Sequence, residues 1–144
     1  MNYKHIILTR FNLQYDLQSN IHIQDSWLEE RFRLFEQYCF PSIIAQTNQQ
    51  FDWVILVSDQ TPKNYLSRLA KHTNSHLNIY IELCTYYEDV NVLYNNIGEK
   101  YVHGYDYLLS TRVDNDDMLA KDFVETLQKL LPATHASAVL TFTN

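Results

Sequence analysis

Tyr105-Asp106-Tyr107-Leu108-Leu109-Ser110-Thr111-Arg112-Val113-Asp114-Asn115-Asp116-Asp117 begins as an apolar run and ends with three carboxylates in four positions. The run reads as a buried strand, and its acidic exit sets the question for the whole chain. Like charges this close repel one another unless something positive sits among them. A hard divalent cation with oxygen ligands is one answer, because Mg²⁺ is commonly held by one or two carboxylates plus substrate phosphates. A polar turn leaving a strand is the other, since Asp and Asn are favoured in turns.

Working outward, the chain alternates strand and helix signals. His5–Asn12 is apolar through its middle and ends in Thr9, Arg10 and Asn12. Leu13–Gln24 has no clear period and reads as a loop. Ser26 and Glu29 suggest a capping box, after which Leu28, Phe32, Phe35 and Cys39 recur on one helical face. Pro41 interrupts that helix or opens a short second one. Phe51–Asp59 is a second nearly continuous apolar strand ending in Ser58 and Asp59. Thr61-Pro62 reads as a cap and first helical position, with Tyr65, Leu66, Leu69 and Ala70 facing inward. Leu77–Leu83 alternates like a strand with one wet face near a sheet edge. Asp89 is a candidate cap for a helix carrying Leu93, Ile97 and Tyr101. After the acidic exit, Phe123, Leu127, Leu130 and Leu131 mark a further helix that Pro132 stops, and Ala138–Phe142 reads as a fifth strand. The order implies an α/β layered domain with a mostly parallel sheet. With strand order 3-2-1-4, strands one and four meet at the crevice where ligands bind in such sheets. Thr9, Arg10, Asp59, Arg112, Asp114, Asp116 and Asp117 then gather at one rim. Arg10 and Arg112 could equally be ion-pair partners of the acidic cluster, and Asp59 could simply cap the next helix.

Composition narrows the function. The 144 residues fit one domain and are 46% hydrophobic, enough for a sizeable core. A net charge of −6 argues against nucleic acid as a partner. No apolar run approaches a membrane span, and the N-terminus lacks a signal-peptide pattern. Cys39 and Cys84 form no CxxC pair and read as free thiols, which points to a cytoplasmic location. The two glycines, Gly98 and Gly104, cannot write a Rossmann fingerprint or a Walker loop, so any nucleotide is held without a glycine cradle. An EF-hand is excluded because its sixth position, counted from Asp114, holds Leu119. The six histidines show no ligand spacing, and most read as surface or strand-end residues.

Four segments carry a family resemblance: Ile7–Asn12, Pro41–Asn48 with Phe51 and Trp53, Val57–Asp59, and Ser110–Asp117. In this order they resemble the putative rhamnosyltransferases, glycosyltransferases of the GT-A fold. The resemblance implies a nucleotide-diphosphate sugar donor, a hydroxyl acceptor such as a carbohydrate, and a Mn²⁺ or Mg²⁺ ion at a DxD motif, here Asp114-Asn115-Asp116. By that likeness Asp116 is the metal ligand and Asp114 reaches the metal or the donor ribose. Asp59 contacts the base, while Thr9, Arg10 and Arg112 flank the nucleotide. Asp117 is a weak candidate for the catalytic base. Family members are longer, so the resemblance implies a donor-binding part whose acceptor half lies elsewhere and which is inactive alone. A non-catalytic nucleotide or sugar binder of the same fold is the alternative, and a structural interaction module a third.

Overall fold

The computed structural model describes residues 2–85 and 90–131. Its four strands are β1 (Tyr3–Arg10), β2 (Asp52–Ser58), β3 (Ile79–Cys84) and β4 (Tyr107–Arg112). They form one all-parallel sheet in the order β3-β2-β1-β4. That is the expected order, and it makes β1 and β4 neighbours, with Leu8 opposite Arg112. The strand candidate Ala138–Phe142, the stop at Pro132 and the cap at Asp89 lie outside the described residues.

Helices cover both faces because the central strands are apolar on both. On one face Ile7, Trp53, Ile55 and Val57 pack against Leu28 and Phe32 of α1 (Asp25–Leu34), Leu69 of α3 (Lys63–Thr73) and Val124 of α5 (Phe123–Leu130). Phe35, in the turn that follows α1, and Ile43 of α2 (Phe40–Ile44) join them. On the other face Ile6, Leu8, Val54 and Leu56 meet Ile97, Leu93 and Tyr94 of α4 (Val90–Tyr101). Truncating a fully buried aromatic such as Trp53 costs on the order of 3–5 kcal/mol.

Between α1 and α2 the chain makes a π-helical turn, Phe35–Cys39. Pro41 has no N–H to donate to the preceding turn, and widening the helix absorbs that loss. The turn leaves Phe35, Cys39 and Ile43 all fully buried. The predicted inward set of Leu28, Phe32, Phe35 and Cys39 therefore survives a change of helical pitch.

Other local expectations are corrected. The capping box does not form: α1 starts at Asp25 with no side-chain cap. Glu29 instead accepts from Arg68 (2.9 Å) and the Tyr65 hydroxyl (3.1 Å). Thr61 does not cap α3, because its hydroxyl accepts from Asn12 (2.7 Å). In α5 the buried face is Val124, Leu127 and Gln128, and Leu130 is exposed. Gln128 is inside because its amide bonds His5 Nδ1 (3.1 Å) and the Gln50 carbonyl (2.9 Å). His5 and His22 are buried rather than superficial. β4 is not buried at its start, since Tyr107 and Leu108 are exposed on the edge of the described sheet. β3 is the opposite edge, as its alternation predicted. Cys39 is buried, Cys84 half-buried, and both are free thiols. Among the described residues no helix is long and apolar enough to cross a membrane.

Candidate active-site cleft at the ends of β1 and β4

Parallel strands deliver their last residues to the same end of the sheet, and β1 and β4 run in step there. Val113 N–H donates to the Leu8 carbonyl (3.0 Å), extending the ladder one residue past β4. Two residues beyond the last paired positions, Arg10 and Asp114 meet, with Nη2 3.6 Å from Oδ1. Asn115, the middle of the acidic triplet, is buried, and its Nδ2 donates to the Phe11 carbonyl (2.8 Å). That clip fastens the acidic loop to the exit of β1. A turn from Asp117 N–H to the Asp114 carbonyl (3.1 Å) closes the loop.

A cleft of about 330 Å³ opens beside this junction. Arg10, Asp114, Asn115 and Asp116 form its floor side, Trp27 and Arg31 of α1 one wall, and Leu13 to His22 the other. The second wall is held by Asn12, which is buried and bonds the His22 carbonyl (3.0 Å), the Thr61 hydroxyl (2.7 Å) and Ser58 N–H (3.2 Å). One asparagine thus ties the β1 exit loop to the end of β2 and the start of α3.

Electrostatically the cleft is a balanced set of charges. Arg31 Nη1 lies 2.8 Å from Asp116 Oδ2, and its guanidinium sits 5.0 Å from the Trp27 ring centroid. Arg112 Nε is 3.9 Å from Asp114 Oδ1. Asp114 Oδ1 is shielded from solvent yet accepts no hydrogen bond, although two guanidiniums stand within 4 Å. Asp117 has its carboxyl pKa raised, first by desolvation and then by the charges of Asp116 and Asp114. His22, in the wall, has its pKa lowered by burial.

The structure brings Arg10, Asp114 and Asp116 together in the cleft and leaves the other candidates outside it. Thr9 is fully buried and its hydroxyl accepts from the Trp53 indole N–H (2.9 Å). Asp59 is exposed past the end of β2. Asp117 is exposed beyond the rim. Arg112 approaches Asp114 but lines a separate, mostly apolar cavity under α4. Sequence reading missed Trp27, Arg31, Asn115 and the 13–22 wall. A Trp and an Arg four apart on one helix is a stacking pair, and that spacing was the available signal for the first two.

Whether these residues suit a divalent cation turns on the oxygen atoms present. Among the described residues no group of three or more His, Cys, Asp or Glu side chains is placed to hold a metal. Two carboxylates suffice for Mg²⁺ or Mn²⁺ when phosphates complete the shell. The unsatisfied, shielded Oδ1 of Asp114 is an acceptor of that kind, so the residues fit a shared protein–phosphate site and not an all-protein cage.

Comparison with curated proteins finds no match. A family model does match, over residues 5–141, nearly the whole chain, including all of the sheet but the first two residues of β1 and every residue lining the cleft. With a parallel 3-2-1-4 sheet whose acidic triplet borders an open cleft, the chain belongs to the family described as Putative rhamnosyl transferase.

Proposed function

We propose that this chain binds a nucleotide-diphosphate sugar through Mn²⁺ or Mg²⁺ and transfers the sugar to an acceptor hydroxyl. The observation that carries this reading is the cleft itself. Arg10, Asp114 and Asp116 converge at the carboxyl ends of two adjacent parallel strands, where ligands bind in open α/β sheets. Membership of a family described by rhamnosyl transfer supplies the reaction class.

In this mechanism Asp114 and Asp116 hold the cation. When bound, the cation stabilises the negative charge that develops on the diphosphate leaving group. Arg10 donates to a phosphate oxygen, a charge-assisted contact that strengthens as charge builds during bond cleavage. Arg112 adds positive potential from beyond Asp114. Asn115 keeps the two aspartates in register by clipping their loop to Phe11. The loop wall from Leu13 to His22 on one side and the indole of Trp27 on the other exclude water from the donor.

The test is a titration with Mn²⁺ and a panel of nucleoside diphosphates. Binding is expected to require the metal and to disappear in Asp116→Ala. Binding that is indifferent to metal and to Asp116 refutes the reading.

A further inference from the structure

We propose that Arg31 is a phosphate-binding residue that competes with the divalent cation for Asp116, and that a diphosphate ligand ends the competition by taking the guanidinium. The inference rests on the cation site proposed above and adds a residue to it. Arg31 is on α1, far in sequence from the acidic triplet, yet its Nη1 lies 2.8 Å from Asp116 Oδ2. A guanidinium and a hard cation cannot both claim that oxygen at full strength, because each brings positive charge to the same atom. The ion pair is substantially open to solvent, 31% at Arg31 and 40% at Asp116. Pairs this exposed contribute little net stability and exchange readily.

The side chain has somewhere to go. Its guanidinium is stacked on Trp27, 5.0 Å from the ring centroid, so its approach direction stays fixed when it leaves the carboxylate. Arg31, Arg10, Asp114 and Asp116 line one continuous cleft. A diphosphate beside Asp114 therefore meets two arginines, Arg10 from the floor side and Arg31 from the α1 wall. Arg10 alone offers one fork, whereas a pair of forks matches the several oxygens of a diphosphate. Transfer of Arg31 from Asp116 to phosphate frees the carboxylate for the cation in the same event. Cation and diphosphate then favour each other's binding, as linkage requires.

The experiment compares the wild-type protein with Arg31→Met and Arg31→Lys in two titrations, Mn²⁺ alone and inorganic pyrophosphate at saturating Mg²⁺. Met keeps an unbranched stem on Trp27 and removes the charge. Arg31→Met is expected to bind Mn²⁺ roughly two- to tenfold more tightly, since Asp116 is released. The same substitution is expected to weaken pyrophosphate by about tenfold or more, since a charge-assisted contact is lost. Opposite signs from one substitution are the signature, because a folding defect lowers both affinities together. Arg31→Lys keeps a cation and is expected to hold Mn²⁺ near the wild-type affinity with an intermediate loss of pyrophosphate. Mn²⁺ binding that Asp116→Asn abolishes but Arg31→Met leaves unchanged or weakens overturns this inference and leaves the function reading standing. Unchanged pyrophosphate affinity in Arg31→Met overturns the hand-over to phosphate. Absence of Mn²⁺ binding from wild type and Arg31→Met alike overturns this inference, whereas diphosphate binding that is indifferent to metal and to Asp116 overturns the function reading.

Discussion

Replacing Asn12 by alanine tests whether the cleft wall is built as described. Asn12 is 2% exposed and makes three hydrogen bonds, to the His22 carbonyl, the Thr61 hydroxyl and Ser58 N–H. Alanine removes all three and leaves the Ser58 N–H, at a fully buried residue, without this partner. At about 1 kcal/mol per bond, and more where a buried group is orphaned, the loss is about 3 kcal/mol. That is a large share of the ~5–15 kcal/mol that holds an ordinary domain. With a urea m-value of about 2 kcal/mol/M, the unfolding midpoint falls by about 1.5 M. Asn12→Asp is expected to be destabilised too, because it sets a carboxylate oxygen against the His22 carbonyl. The wall should also loosen, so amides from Leu13 to Gln24 are expected to exchange faster in Asn12→Ala than in wild type. A midpoint drop below about 0.5 M at unchanged m, with no change in loop exchange, refutes the account of this residue.

Three further outcomes are expected. Burial lowers the His5 pKa to about 4 from the ordinary 6.5, so between those values the unfolded chain holds the extra proton. Stability is therefore full above pH 6.5 and is lost as pH falls towards 4, by at most about 3 kcal/mol. Urea midpoints of His5→Gln should show a shallower slope across that window, and an unchanged slope refutes the assignment. Glu36 has its pKa lowered, first by the Arg68 hydrogen bonds and then by His72 against the opposing effect of burial. Its contribution is present above the unfolded carboxyl value near 4.5 and disappears as pH drops through the lower folded value. Acid unfolding of Glu36→Gln is expected to lose part of its pH dependence below 4.5, and a full wild-type acid limb counts against this role. Asp59→Ala is expected to leave Mn²⁺ and pyrophosphate binding unchanged, because Asp59 does not line the cleft; a loss of either extends the site beyond the end of β2.

The sheet was legible because its signals are long and periodic. β1 is apolar through Ile6–Leu8 and β2 from Trp53 to Val57, as strands covered on both faces must be in their middles, and β3 alternates, as an edge strand does. Arg10, Asp114 and Asp116 were legible for a related reason: residues that end adjacent parallel strands share a rim whatever else the chain does. Thr9 shows the limit of that logic. It sits one residue before the rim, and the pleat turns it into the core beneath Trp53 instead of the cleft. Arg31 and Trp27 escaped because a helix's outer face looks like ordinary solvated surface until the partner strand is placed. The Leu13–Gln24 wall has no period to read, being shaped by side-chain bonds from Asn12, Gln14 and Asp16 to its backbone. Ser26 and Glu29 matched a capping pattern, but Arg68 offered Glu29 a charged partner that a backbone N–H does not equal. The buried face of α5 was read correctly at Leu127 and Phe123 but not at Leu130, since the face is completed by Gln128, a polar residue that His5 and Gln50 satisfy from outside the helix.

The widened turn at Phe35–Cys39 reaches further than its own five residues. One surplus residue there rotates everything after it, so that Ser42 and Gln46 emerge facing the stretch that follows the aspartates. Ser42 Oγ receives Leu119 N–H at 3.1 Å, and the Gln46 amide spans the Ala120 carbonyl and Val124 N–H at 2.7 and 3.0 Å. Deleting a single residue between Phe35 and Cys39 would restore ordinary pitch and swing both side chains about 100° off target. The bend that accommodates a proline is thereby also a gauge: it sets the angle from which the first helical layer grips the far end of the acidic loop.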